Sequence, residues 1–580
     1  MCYAVNFLED FARLLNEYKS KKLLGHFAHK AALAVLKTFP NQSLYVSEAG
    51  FTPSGKIHLG NFNDICLAYA IAQILEWWGY KSKAIVAVDS RDPFRQAPIF
   101  APDEFKAREK ELRGLPFDEI EDPWGCHSNY AEHFVSPVMD SVAEYGIKIE
   151  FIFAHKIHTN PKYIELLIRI LQERERVREI FNRVRERAGH KKLYPQGWIP
   201  YRPKCENCGR MDENVIALEV SESGRYVKYK CGYCGHEGEA DVTKAQGKPP
   251  FRIDWPLRWL VFNVHFEPMG KDLMASGSSF DTGAELLRQM FNREPPVNVF
   301  YDFLYWIPPE DRNRTTKLKF SKRRGIGLGV DEWLKYAPPE VLKYIILRRQ
   351  VGDIKKESLK HIDFSPLDIP SYVDSFDDHE KAFYDVIYNR ASGLAEVDKE
   401  RIIATYLLSQ VSVDDIPPKQ PLRVPYSVCI EIALWMESIE DGLNMLTKMG
   451  KIPKDADREV LEDARRRLRM AHNWVRDFLK FTFPDPDIAL SQISPEQRKA
   501  LKELLGSVLR IEPSQISMDA IRPIVKSISQ RLSIRPKKIY EAVYMIVLNK
   551  PDGPPVARLF RREDMRKYFE RVLKRLSKEV

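Results

Sequence analysis

Long apolar runs are missing from this 580-residue chain: polar residues interrupt its hydrophobic stretches well before a membrane span is reached. The first residues, MCYAVNFLEDFARLLNEYKSKK, carry acids and lack an apolar core, so this stretch is not expected to act as a secretory signal. A cytoplasmic protein without membrane contact is therefore expected. Internal repeats and low-complexity tracts are absent, which excludes solenoid and disordered classes. No GxxxxGKS or GxxxxGKT loop occurs, which excludes a Walker-type phosphate site. Cysteine is scarce, with eight in all, and Cys2, Cys66, Cys126 and Cys429 are scattered singly. The other four, Cys205, Cys208, Cys231 and Cys234, form CENC and CGYC. In a cytosolic chain such pairs point to a metal and not to disulfides.

What is present is an ordinary globular composition, 44% hydrophobic and 29% charged, long enough for several domains. Lys and Arg number 90 against 81 Asp and Glu, a net +9 that suits a polyanionic partner or simply a solvated surface. LYVSEAG (44–50) and KAIVAVD (83–89) read as buried strands. Between them Ile65, Ala68, Ala72 and Leu75 share one helical face, which makes a βαβ unit and a parallel sheet. KIEFIFAH (148–155) and NVFYDFLYW (298–306) read as further strands, and 161–188 as one charged helix. VIALEV and YVKYKC are short strands in the Cys-rich segment. Beyond 365 the periodicity is helical, broken at DIPPKQP (415–421) and FPDPD (483–487), and the basic stretch ARLFRREDMRKYFERVLKRL (557–576) reads as one amphipathic helix. The expected divisions are 1–155, an insertion at 156–250, a return to α/β at 251–365, and a helical region at 366–580.

SEAGFTPSGKIHLGNFND (47–64) carries the most chemistry. A strand ends at Gly50, a turn through Pro53, Ser54 and Gly55 follows, and a helix starts near Asn61. Such a turn offers free backbone N–H groups and a helix dipole to phosphates. His58 and Asn61 can reach ATP phosphates, and Gly60 permits close approach. A helix cap with turn glycines is the plainer reading of His58-x-Gly60-Asn61 alone. The longer string T-P-S-G-x-x-H-x-G-N resembles the HIGH motif of class I aminoacyl-tRNA synthetases, in the HIGN form of the class I lysyl enzymes. KFSKR (319–323) resembles their KMSKS loop, with Phe320 in place of Met and Arg323 in place of the last Ser. Lys319 and Lys322, with Ser321, would stabilise the charge that builds on departing pyrophosphate, and a mobile loop favours the transition state.

DSRDPFRQAP (89–98), FRIDWPLRW (251–259), FEPMGKDLMASGSSFDTG (266–283) and VFYDFLYW (299–306) extend the resemblance to class I lysyl-tRNA synthetases over nearly the whole chain. It implies a Rossmann-type α/β catalytic domain split by a zinc-binding insertion and followed by an all-α anticodon-binding domain. It implies ATP with Mg2+, L-lysine and tRNA(Lys) as substrates, and transfer to the 2′-hydroxyl; a monomer is expected. It places Gly50, Thr52, Trp255 and Tyr301 around lysine, and Asp272 and Ser276–Ser279 on the ATP side; Asp254 fits a structural ion pair equally well. Leu273 stands where the family often has His. Cys205, Cys208, Cys231 and Cys234 suit a closed structural Zn2+ site. The rivals are a glutamyl or glutaminyl enzyme, whose acidic substrate would need Arg95 or Arg258, and a tRNA-binding protein without catalysis.

Overall fold

The computed structural model describes residues 2–311, 313–354, 356–479 and 483–578, with side chains from Glu9 onward. Two compact units result, Met1–Pro421 and Leu422–Val580. They part at the Pro-marked break 415–421, where no helix can continue. Helices Ile369–Ile387 and Glu396–Ser409 thus belong to the first unit.

The first unit is organised on four parallel strands: β1 (Tyr45–Phe51), β2 (Ser82–Val88), β3 (Ile149–Phe153) and β4 (Val264–Phe266), in the order β3-β2-β1-β4. β1 and β2 are buried along most of their length, as strands covered by helices on both faces must be. Helix α1 (Leu59–Trp77) makes the crossover from β1 to β2. Ile65, Ala68, Ala72 and Leu75 are buried as the periodicity indicates, but so are Phe62, Leu67, Ile71 and Ile74, because the helix is enclosed nearly all round. The register pairs Gly50 with Ala87 and Phe51 with Val88. The turn after β1 and the acidic segment after β2 therefore leave the sheet side by side, at the carboxyl ends where open α/β sheets bind ligands. Helix α2 (Phe251–Val261) precedes β4.

Three expectations change. The charged segment 161–188 is two helices, Pro161–Gln172 and Arg174–Arg187, parted at Glu173. Glu173 leaves helical geometry and takes ion pairs from both Arg169 and Arg176. NVFYDFLYW is two short strands in different sheets, Phe300–Tyr301 beside Met269–Gly270, and Leu304–Trp306 between Leu318–Lys319 and Ile362–Phe364. Asp302 breaks the run by accepting from Phe303 N at 2.7 Å and pairing with Lys271. The basic stretch 557–576 is likewise divided at Arg562, between Val556–Arg561 and Glu563–Leu576.

The Cys-rich segment folds as a three-stranded antiparallel sheet, Val215–Val220, Tyr226–Cys231 and Glu237–Asp241. The second unit is helical and closes its own core, with Leu501, Leu504, Ile539, Val543 and Phe569 fully buried. Among the described residues no helix is long and apolar enough to cross a membrane.

Candidate active site

His58 is the residue that caps α1, with extended backbone angles. Asn61 Oδ1 accepts from His58 N at 3.5 Å, and Gly60 leaves room for the imidazole, since a Cβ there would lie 3.0 Å from its ring. Pro53 and Ser54 are buried, and Tyr130 donates to the Ser54 carbonyl at 3.3 Å. His58 Nδ1 is buried without a hydrogen-bond partner. Burial, and then the nearby Lys322 ammonium, pull its pKa down to about 3, so the imidazole is neutral across the physiological range.

The KFSKR loop meets this turn. Lys322 Nζ donates to the Thr52 carbonyl at 2.6 Å, Leu59 N donates to the Leu328 carbonyl, and His58 pairs with Gly329 in an antiparallel bridge. Gly55 lies so close to the loop that a Cβ would sit 2.7 Å from the Lys322 carbonyl oxygen. Phe320 is buried, with its ring 5.2 Å from that of His58 and 5.8 Å from that of Trp306. The loop folds back through a bridge between Ser321 and Ile326, with Gly325 at φ +58. Ser321 Oγ accepts from Arg324 N. Burial pulls the Lys322 ammonium down to about 8, against the opposing pull of Asp89 and Asp92. Lys319 is placed differently. Its ammonium lies 3.4 Å over the Phe303 ring and is not at the turn.

Beside the turn lies a cavity of about 320 Å3, lined by Gly50, Thr52, Trp255 and Tyr301 together with Phe251, Asp64, Asp89, Asp92, Arg258, Glu267 and Leu273. The first four are those the resemblance places around lysine, and Arg258 is the arginine the rival acidic-substrate reading would need; the four acids are what sequence reasoning left out of the pocket. A signal existed: Asp89 and Asp92 follow β2, Glu267 follows β4, and Asp64 is one helical turn beyond Asn61. Thr52 Oγ1 donates to Asp92 Oδ2 at 3.0 Å, and the Trp255 indole donates to both Glu267 oxygens at 2.9 and 3.0 Å. Trp259 donates to the same carboxylate. Arg258 is spent on Asp89 at 2.5 Å and Glu48 at 3.4 Å, and Lys248 on Asp92 at 2.7 Å. Burial would raise Asp92, but Lys248 holds it low. Burial pushes Asp64 and Glu267 up to about 7 and Asp89 up to about 6. Asp254 is structural: His158 at 3.0 Å, Tyr163 and Lys248 surround it. Neither Asp272 nor any of Ser276–Ser279 lines the cavity. Arg95 is exposed and does not line it either.

Away from the cavity, the sulfurs of Cys205 and Cys234, and of Cys208 and Cys231, are 3.6 Å apart, and all four ligand atoms lie within 4.8 Å of one another. A tetrahedral Zn–S shell with bonds near 2.3 Å sets its sulfurs about 3.8 Å apart, so the four thiols fit such an ion. His236 pairs with Glu206 at 2.8 Å, outside the group. A second group was not foreseen. Asp122, Cys126, His127 and His133 also bring one ligand atom each within 4.8 Å, so Cys126 is not a lone thiol. The Asp122 carboxylate is oriented by the backbone N–H groups of Trp124, Cys126 and His127. The spacing D-x3-C-H-x5-H was the available signal.

The family profile described as tRNA synthetases class I (K) matches residues 25–411. The lysine–tRNA ligase of Pyrococcus horikoshii is 30% identical over 543 residues, covering 92% of this chain and 96% of the relative. That of Methanococcus maripaludis is 31% identical over 540 residues, covering 91% and 96%. Among solved structures, a glutamate tRNA ligase from Elizabethkingia meningosepticum is 11% identical with a TM-score of 0.35, over 92% of this chain and all of that one. The chain belongs to the class I (K) tRNA synthetases.

Proposed function

We propose that the protein is a lysine–tRNA ligase, as its relatives are named. The lysine carboxylate attacks the α-phosphorus of ATP, and the bond to pyrophosphate breaks. The terminal 2′-hydroxyl of tRNA(Lys) then attacks the carbonyl carbon of the adenylate, and AMP leaves. No side-chain nucleophile is required; the protein positions the reactants and balances charge. The observation that carries this reading is a juxtaposition: the turn of Pro53, Ser54, Gly55, His58, Gly60 and Asn61 meets Lys322 beside an acid-lined cavity. Lys322, His58 and Asn61 contact the phosphates, and Lys319 and Ser321 join them when the loop moves. Gly50, Thr52, Trp255 and Tyr301 hold lysine. Mg2+ travels with ATP.

An acidic substrate is disfavoured because the cavity's only arginine, Arg258, is already ion-paired on two sides. Cys205, Cys208, Cys231 and Cys234 would hold a structural Zn2+, and Asp122, Cys126, His127 and His133 a second structural ion; none of the eight lines the cavity. The insertion 156–250 supports the tRNA acceptor end, and the helical unit Leu422–Val580, within the region after 366, reads the anticodon, in a cytoplasmic monomer. The deciding test is ATP–pyrophosphate exchange with each of the twenty amino acids, with and without tRNA. Exchange with lysine is expected; exchange with glutamate in its place overturns the reading.

A further inference from the structure

The cavity holds four carboxylates and one cationic side chain. Two of the four are matched, Asp89 by Arg258 and Asp92 by Lys248. The other two are not: among the described residues no Lys or Arg nitrogen lies within 4 Å of Asp64 or Glu267. Glu267 is buried and receives only neutral donors, the indoles of Trp255 and Trp259. Asp64 Oδ1 is buried with no hydrogen-bond partner at all. A buried carboxylate without a counter-ion is strongly disfavoured unless a ligand supplies the charge. Two such groups facing one cavity call for a ligand with two positive centres.

Resting on the lysine reading above, we propose that Glu267 takes the ε-ammonium of lysine and Asp64 its α-ammonium. The assignment follows from position. Asp64 stands on α1 one turn beyond Asn61, near enough to Lys322 to act on it electrostatically. The substrate carboxylate must face that end to reach the α-phosphate, and the α-ammonium is one carbon away from it. Glu267 follows β4, held beneath Trp255 and Trp259. Phe251, Trp255, Met269 and Tyr301 give the methylenes apolar walls between the two.

The test uses three ligands on the full chain: lysine, norleucine (no ε-ammonium) and 6-aminohexanoate (no α-ammonium). Affinities are read by calorimetry for the native protein, Glu267→Gln and Asp64→Asn. Glu267→Gln weakens lysine and 6-aminohexanoate by roughly ten- to a hundredfold and leaves norleucine nearly unchanged. Asp64→Asn weakens lysine and norleucine and spares 6-aminohexanoate. A Glu267→Gln protein that keeps the native preference for lysine over norleucine overturns the assignment. If a variant does not fold, the native protein decides. Below pH 7 lysine displaces more protons than either analogue, because both carboxyls must ionise to receive it. The groups around them stay fixed: Arg258, Glu48, Trp255 and Trp259 around Glu267; Tyr301, Asn63, Arg349 and Lys322 around Asp64. Equal proton release for all three ligands overturns the proposal. A native protein that shows no lysine-dependent exchange instead refutes the functional reading itself.

Discussion

Replacing Lys322 by Met should make the ligand-free protein more stable and nearly inactive. The ammonium sits in the docked loop with its only hydrogen bond to the Thr52 carbonyl. Burial lowers its pKa from 10.5 to about 8, a penalty on the charged form of roughly 3 kcal/mol at 1.36 kcal/mol per unit. Because the folded value lies below the unfolded one, stability falls as pH drops from 10.5 to 8 and is level below that. At pH 7 the full cost applies. The residue keeps some solvent exposure, so this figure is an upper bound. Met removes the charge and keeps the bulk, at the loss of one hydrogen bond worth about 1 kcal/mol. The apo protein should therefore gain up to about 2 kcal/mol, read as a higher melting temperature at pH 7 and no gain near pH 10.5. ATP–pyrophosphate exchange should fall about 10²- to 10³-fold, as when one transition-state donor is lost. A variant that melts lower at pH 7, or exchanges at the native rate, refutes the account of Lys322.

His58→Ala should reduce exchange by about 10²- to 10³-fold, and because the imidazole titrates near 3, the native rate should show no inflection from it between pH 5 and 8. Gly327→Ala should undock the loop, since its Cβ would lie 2.3 Å from the Phe320 ring at φ +127; the loop should become protease-sensitive and the KM for ATP should rise. Metal analysis should find about two ions per chain; Cys208→Ser should remove one and His133→Ala the other, and a native protein with none would exclude both sites. Lysine affinity should weaken as pH falls below 7, up to tenfold per unit for each of Asp64 and Glu267, because protonated carboxyls cannot pair with an ammonium.

The elements that were legible in the sequence are those whose pattern is set by burial. β1 and β2 are apolar runs because helices cover both faces, β3 is a partly exposed edge strand legible from its apolar residues around Glu150, and α1 follows from its spacing. The cysteine pairs were legible because four thiols at that spacing have few other uses. Phe300–Trp306 was misread because the apolar alternation passes straight through Asp302, and only the tertiary partners Leu359 and Lys271 show that the chain turns there. Asp122, Cys126, His127 and His133 escaped notice because each type is common and they converge only when the loop folds back on its helix. Asp64 and Glu267 were within quoted motifs, yet nothing in their spacing distinguishes an unmatched acid from the matched Asp89 and Asp92. That difference depends on where Arg258 and Lys248 reach.

The site is assembled from charges whose partners are absent until substrates arrive. On the phosphate side Lys322 has a carbonyl in place of an anion, and His58 Nδ1 has no partner. On the side proposed for lysine, Asp64 and Glu267 have no Lys or Arg partner among the described residues. The two deficits have opposite sign and lie in adjoining parts of one crevice, so an attacking group that is anionic at one end and cationic elsewhere is oriented before it reacts. On that proposal a neutral amino acid of the same length leaves Glu267 unmatched and loses the charge-assisted contact assigned to lysine. Selectivity then comes from the cost of an unpaired buried acid more than from the fit of the methylenes, since a polar group left unmatched discriminates more strongly than one methylene misplaced against Trp255.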